Sequence, residues 1–276
     1  MRAPGLSPSR AQDFARCPLV FRLRAVDKVP EPRTLAQARG TVTHLVLERV
    51  FDLAPAARTP DAAAGLVPKA VDDAVGADPS LTALIEGGGG RAGFVDQVTS
   101  LVRADFSMED PSRLAPEARE LWVEAPIGGP DPATTITVRG YIDRLDVAPG
   151  SGALRIVDYK TGKAPRPAYQ SEALFQLRCY GLAIWRMRGT MPAMLQLLYL
   201  ASGTAIREEP TRADLERTEA RLLALWAGIV RCARTAEWPA VRGPLCPWCA
   251  FQALCPAFDA TPPVPPDDTL ARLGIT

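Results

Sequence analysis

The sequence predicts an α/β fold, a sheet flanked by helices, and three observations carry that reading. From Ile136 to Lys160 two runs alternate with the period of a strand on either side of a Pro-Gly turn. Three segments, 34–53, 169–188 and 211–237, repeat apolar residues at helical spacing. Met194 to Ala201 is an almost continuous apolar run, as a strand covered on both faces requires.

Taken in order, Ser7 and Pro8 predict a helix start, Ser as N-cap and Pro at the first helical position. Cys17-Pro18 ends that helix. Leu19 to Arg24 interleaves aromatic and basic residues, and Arg22 and Arg24 fit a solvated face or phosphate contacts equally well. Thr34 to Leu53 is a long amphipathic helix with Leu35, Ala38, Val42, Leu45, Val46, Val50 and Leu53 as its apolar stripe. Gly40, His44 and Glu48 recur every four residues and share a second line. The Ala-, Pro- and Gly-rich stretch 54–116 predicts a helical insertion, with helices over 60–75 and 91–106 separated by the Gly-rich hinge 86–90. Arg119 to Ile127 alternates as a strand that leads into the hairpin. Ala205 to Pro210 pairs with the apolar strand 194–201. Leu222, Leu225, Trp226 and Ile229 of the last long helix face the core. Residues 259–276 form a Pro-rich tail beyond a single domain spanning 1–258, extended or disordered over 261–266.

With 276 residues, 47% apolar and 23% charged, the chain has the composition of an ordinary globular protein with a substantial core. No apolar run approaches the ~18 residues of a membrane span; the nearest, 222–230, has nine. Met-Arg-Ala-Pro-Gly carries no apolar leader, so a cytoplasmic protein without a membrane partner is expected. The net charge of +1 excludes a uniformly basic nucleic-acid binder, although a local basic channel remains compatible with it. Arginines outnumber lysines 28 to 4, and two of the four lysines, Lys160 and Lys163, fall in or just after the hairpin. His44 is the only histidine.

The hairpin carries the chemistry. Asp158 and Lys160, two apart on a strand, emerge on the same face, and Asp143 on the partner strand can end beside them. Two carboxylates held close repel unless a cation lies between them. Oxygen ligands of this kind suit Mg²⁺ or Mn²⁺. An adjacent lysine can orient water or stabilise charge on a phosphate. The set suits metal-assisted phosphodiester hydrolysis, while a surface hairpin in which Asp158 merely pairs with Lys160 is the plainer reading.

Gly140-Tyr-Ile-Asp143, a turn, then Asp158-Tyr-Lys160 resembles the active-site hairpin of the RecB-type branch of the PD-(D/E)XK nucleases. Gly40 to His44 is similar to that branch's GxxxH motif, and Gln176 to Tyr180 to its QxxxY motif. The resemblance implies a restriction-endonuclease-like core, a central mixed β-sheet flanked by helices. It implies that His44, Asp143, Asp158 and the backbone carbonyl of Tyr159 hold Mg²⁺ or Mn²⁺. Asp143, Asp158, Lys160, Gln176 and Tyr180 are then the catalytic set, acting on DNA, single-stranded or flapped, with a helicase or repair partner. Glu48 is a weaker candidate, and Lys163 and Arg166 on the following loop face substrate.

Of six cysteines, Cys246, Cys249 and Cys255 form a C-x2-C-x5-C cluster, with Cys17 as its natural fourth member. Cys179 and Cys232 lie within helices as small apolar residues. Four thiolates suit Zn²⁺ or an iron–sulfur cluster, and the ligand types leave both open. The one-plus-three arrangement resembles the iron-staple nucleases of this branch, such as the nuclease domain of AddB and the RecB-type nucleases of CRISPR adaptation. That resemblance implies a structural 4Fe–4S cluster joining the N- and C-terminal regions. A cluster-bearing DNA-binding or assembly module without catalysis is the rival from another class, and a metal titration distinguishes the two. No Walker-type phosphate loop is present, so no motor is attached within this sequence.

Overall fold

Ser7 caps the first helix through the Arg10 N–H, as the sequence predicts, but a two-residue strand precedes it. The computed structural model describes residues 4–129 and 135–275; Met1 to Ala3, part of the stretch read as lacking a leader, lie outside them. The chain runs β1 (Gly5–Leu6), α1 (Pro8–Arg16), α2 (Pro18–Phe21), α3 (Leu35–Val50), α4 (Pro60–Ala77), α5 (Ser80–Gly87) and α6 (Gly90–Met108). Then come β2 (Pro116–Ile127), β3 (Ile136–Val147), β4 (Leu154–Lys160), α7 (Gln170–Ala173) and α8 (Phe175–Arg188). Last are β5 (Met194–Tyr199), β6 (Thr204–Glu208), α9 (Arg212–Thr235) and α10 (Thr269–Arg272).

A capping box between Thr34 and Gln37 starts α3. The hinge between α5 and α6 is only Gly88 and Gly89, and Gly89 takes φ +108°, a conformation that strains any other residue. The single helix expected over 169–188 is broken. Pro167–Tyr169 makes a 3₁₀ turn, and Leu174 interrupts the axis between α7 and α8 while being buried in the core.

The sheet is mixed, in the order β1-β3-β4-β5-β6, with β2 on the other edge of β3. β1 and β4–β5 pair in parallel, the first with β3; the β2–β3, β3–β4 and β5–β6 pairs are antiparallel. β2 accompanies β3 almost throughout. The opposite edge of β3 is shared: β1 meets residues 137 and 138, and β4 meets residues 144–147. Between them, residues 139–143 have no ladder partner on that edge among the described strands. The active-site candidates sit at this gap.

One face of the sheet packs on α3, α4 and α6, whose Val42, Val46, Val67, Val71, Val98 and Val102 share a core with Val157 and Tyr159 of β4. The predicted insertion thus packs on α3 and shares this core with β4. The other face carries α8, with Ile142, Leu145 and Ile156 against Leu177, Tyr180 and Ile184. Around the N-terminal half of β3, α1, α8 and α9 close a further core that includes Leu222, Trp226 and Ile229.

Arg22 and Arg24 turn out to be structural. Arg22 is buried, 3.0 Å from Asp27, and Arg24 holds Asp13 and Glu31 at 2.6 Å each. Arg22 also donates to the Pro263 carbonyl, and Arg272 donates to the Val26 carbonyl at 3.0 Å. With Leu270, Leu273 and Ile275 packed on the α1–α9 core, the Pro-rich tail is a strap fastened to the N-terminal region.

Candidate active site

The β3–β4 ladder ends at Arg144 and Val157, and Asp143 causes the end. Its Oδ2 accepts the Tyr159 N–H at 2.8 Å, so a side chain takes the donor that the next ladder rung would use. α3 brings His44 to the same carboxylate, with Nδ1 3.3 Å from Oδ2. β2 brings Glu120, which falls opposite Asp143 in the register. His44, Glu120 and Asp143 each offer a ligand atom within 4.8 Å of the others, and no other group of three or more His, Cys, Asp or Glu does so among the described residues.

Sequence reasoning missed Glu120. Its φ of +44° is left-handed and unfavourable for a side chain of this kind, and nothing in the alternation of β2 marks it. Arg119 helps to aim it by donating to the Glu48 carbonyl at 2.5 Å and to Asp52 at 2.8 Å, which fastens β2 to the end of α3. Glu48 stays outside the ligand group; it lines a groove of about 660 Å³ with His44, Thr41 and Glu120.

Asp158 is 2% exposed. Its Oδ1 accepts from Gln176 Nε2 at 3.0 Å, and Lys160 Nζ lies 2.6 Å from Oδ2. The same Lys160 donates to Gln176 Oε1 at 3.0 Å, so one amide braces both charged groups. Tyr180 reaches the site through Gln176, whose Nε2 donates to the phenol oxygen at 3.3 Å. The phenol lies over Gly140, where a Cβ would meet its oxygen at 2.8 Å; the glycine of the hairpin motif makes room for it. Lys163 and Arg166 are exposed on the loop after β4, without an ion pair among the described residues.

The electrostatics are those of crowded carboxylates. Burial, then the charge of Asp143, pushes Asp158 up to about 6 against the pull of Lys160. Burial and Asp143 also raise Glu120. Burial disfavours the charged form of His44, but its hydrogen bond to Asp143 and the charges of Asp143 and Asp158 outweigh that and hold it at about 9. Lys160 is raised likewise, burial being outweighed by Asp158. The residues fit a divalent cation. Asp158 Oδ2 is buried with the lysine beside it but no well-directed donor, an acceptor left open next to a His-Glu-Asp oxygen and nitrogen set.

Behind the site lies a second charged cluster that the sequence did not reveal. Arg144, 1% exposed, meets Glu109 at 2.5 Å and Asp146 at 3.1 Å and donates to the Tyr159 hydroxyl. Arg155 closes the ring, 2.9 Å from Glu109 and 2.8 Å from Asp146. This network clamps β3 and β4 together just where the Asp143 contact separates them.

At the C-terminal end of α1, Cys17, Cys246, Cys249 and Cys255 line one cavity of about 540 Å³ with Leu19 and Phe251. All four thiols are free. The Cys17 sulfur accepts the Val241 N–H at 3.4 Å and the Cys246 sulfur the Gly243 N–H at 3.2 Å. No three sulfurs come within 4.8 Å of one another. Four thiolates lining one cavity are ligands that either a Zn²⁺ ion or an iron–sulfur cluster would accept.

Three carboxylates, a braced lysine and a histidine thus gather at the broken rung of a mixed sheet, a donor set that a divalent cation would fit. Residues 5–256 match the family model of the PD-(D/E)XK nuclease superfamily, and the chain belongs to that superfamily. Its members are nucleic-acid hydrolases that use divalent metals. The chain is 28% identical over 197 residues to the Gene 69 protein of Mycobacterium phage D29, covering 67% of this chain and 70% of that protein. Among solved structures it resembles a protein from Eubacterium rectale that carries an exonuclease assignment. The TM-score is 0.57 and the identity 12%, over 89% of this chain and 87% of that one. At that identity the likeness is one of fold. No helix among the described residues is long and apolar enough to cross a membrane.

Proposed function

We propose that this chain is a RecB-type, Mg²⁺- or Mn²⁺-dependent DNA nuclease of the cytoplasm. It trims single-stranded or flapped DNA during repair or recombination, alongside a helicase or repair partner. The observation that carries the reading is the convergence of His44, Glu120 and Asp143 beside the braced Asp158–Lys160 pair. His44, Asp143, Asp158 and the Tyr159 carbonyl, with Glu120 added, are the residues that would hold the cation. Bound there, a divalent cation supplies charge neutralisation on the phosphate and a water of lowered pKa.

The chain's own groups do the positioning. Lys160, fixed by Asp158 and Gln176, directs a proton donor at the attacking water or the phosphate oxygen. Gln176 keeps the carboxylate and the ammonium in register, and Tyr180 holds Gln176. Burial of Asp158 keeps bulk water away from its carboxylate.

In the same reading, Cys17, Cys246, Cys249 and Cys255 hold a 4Fe–4S cluster that ties the two ends of the domain, structural Zn²⁺ being the alternative. The shared cavity of the four cysteines and the backbone N–H donors to the Cys17 and Cys246 sulfurs support the iron cluster.

The test is cleavage of end-labelled single-stranded DNA with Mn²⁺, wild type beside Asp158→Ala. Loss of label with wild type alone supports the nuclease, and the product ladder gives polarity. Equal cleavage by both proteins sinks the assigned site. If neither cuts single strands, flaps or duplex, the reading gives way to a cluster-bearing DNA-binding module.

A further inference from the structure

Two of the largest exposed aromatics of the described residues stand together on the sheet. Trp122 of β2 and Tyr141 of β3 are direct partners in the ladder, 42% and 53% exposed, with ring centroids 4.9 Å apart at 60°. Strand formation alone gives no reason to leave two large rings in water side by side; in a folded chain such a pair more often marks a contact. Trp122 Nε1 donates to Glu124 Oε2 at 3.3 Å, which fixes the indole while leaving its ring exposed.

Their place along the strands is specific. Glu120 and Asp143, members of the ligand group, are two residues away on the same two strands, about 7 Å. Two residues in the other direction on β3 stands Arg139, which makes no ion pair among the described residues. Its guanidinium lies across Gly5, where a Cβ would meet it at 2.5 Å, and Arg10 is close enough to feel its charge. This stretch of β3, 139–143, is also the part left without a ladder partner on one edge. Along β3 the order is therefore carboxylate, ring, cation, with Trp122 of β2 beside the ring, Glu124 of β2 opposite Arg139 and Arg10 of α1 near the guanidinium.

We propose that Trp122 and Tyr141 form a stacking platform for an unpaired base next to the scissile phosphate, with Arg139 and Arg10 on the following phosphate. This rests on the nuclease reading of the adjacent site. A polyanion with flat apolar faces at regular intervals is complementary to alternating cations and rings, and single-stranded nucleic acid is that polymer. A base inside a duplex has both faces covered by its neighbours, so the platform selects single strands, flaps and frayed ends.

The experiment measures binding of a fluorescein-labelled oligo(dT) without divalent metal, by anisotropy, together with its cleavage in Mn²⁺. Wild type, Trp122→Ala, Tyr141→Ala and Trp122→Phe are compared on oligo(dT) and on an abasic oligonucleotide of equal length. Expected is about tenfold weaker oligo(dT) binding and a correspondingly higher KM for either alanine variant, with Trp122→Phe close to wild type. Wild type should bind the abasic strand as weakly as the variants do. Both rings are exposed, so the variants should melt as wild type does. Equal binding of both oligonucleotides by wild type and alanine variants overturns the platform. Ring-dependent binding with no cleavage by wild type would uphold the platform and sink the nuclease reading; cleavage indifferent to Trp122 would do the reverse.

Discussion

The Asp143 carboxylate takes the backbone N–H of Tyr159 at 2.8 Å, and this one contact ends the β3–β4 ladder at the position where the site opens. The carboxylate replaces a neighbouring strand as hydrogen-bond acceptor and so lets two strands diverge without orphaning a buried donor. Behind the divergence, the Arg144 network with Glu109, Asp146 and Arg155 holds the same two strands together. A rigid fork results, with the carboxylates at its mouth.

Removing the Asp158 carboxylate should abolish cleavage. Asp158→Asn is expected to lower kcat at least about a thousandfold, since metal-borne charge stabilisation is worth several kcal/mol. Gln176 can still hydrogen-bond the amide, so far-UV circular dichroism should match wild type. Wild-type rates in the purified variant would refute the role.

Cation binding should report on Glu120. Mn²⁺ is expected to raise the Tm of wild type in proportion to ln(1 + [Mn²⁺]/Kd). Glu120→Gln should need about tenfold more Mn²⁺ for the same rise, and Asp143→Asn should show almost none. A thermal-shift titration that is identical for wild type and Glu120→Gln would remove Glu120 from the ligand set.

Breaking the buried clamp should cost stability outright. Arg144→Leu removes the more buried of the two cations that Glu109 and Asp146 share, leaving Arg155 alone with both, and is expected to destabilise by about 3–5 kcal/mol, read by urea unfolding. An unchanged unfolding midpoint would show that the network contributes nothing net.

Asp105 sets a pH dependence away from the active site. It is 1% exposed, with Oδ1 lacking a hydrogen-bond partner, and burial pushes its carboxyl up to about 7, partly offset by Arg144. Between an ordinary aspartate value near ~4 and about 7, the folded chain holds a proton that the unfolded chain has lost. Stability from this group therefore falls as pH rises through that window, by roughly 4 kcal/mol at most. Asp105→Asn should flatten the difference in Tm between pH 5 and pH 8; a difference equal to that of wild type would contradict the assignment.

The cysteine lobe yields to metal analysis. Anaerobically purified protein is expected to be brown and to contain about four irons and no stoichiometric zinc. Cys255→Ser should bleach it and lower Tm, because the lobe's own core of Cys17, Leu19, Val20, Leu23 and Phe251 is small. One zinc per chain in a colourless protein would favour the alternative metal.

Local pattern in the sequence determined most elements: the alternating hairpin, the capped α3, the apolar β5 and the long α9 follow from periodicity and end signals that neighbouring residues carry by themselves. It also determined that Asp143, Asp158 and Lys160 share one hairpin, and that Gln176 and Tyr180 lie one helical turn apart. Tertiary structure decided what depends on register between distant strands. Glu120 joins His44 and Asp143 because β2 pairs with β3 at one offset, which no residue on β2 announces. The two-residue β1 is too short to show a period, and Leu174 breaks a helix only because the core takes it. Arg22, Arg24 and Arg144 look alike as solvated charges in sequence; the carboxylates that bury them are set by the fold. Side-chain chemistry is written locally, whereas burial and partner choice are properties of the packed chain.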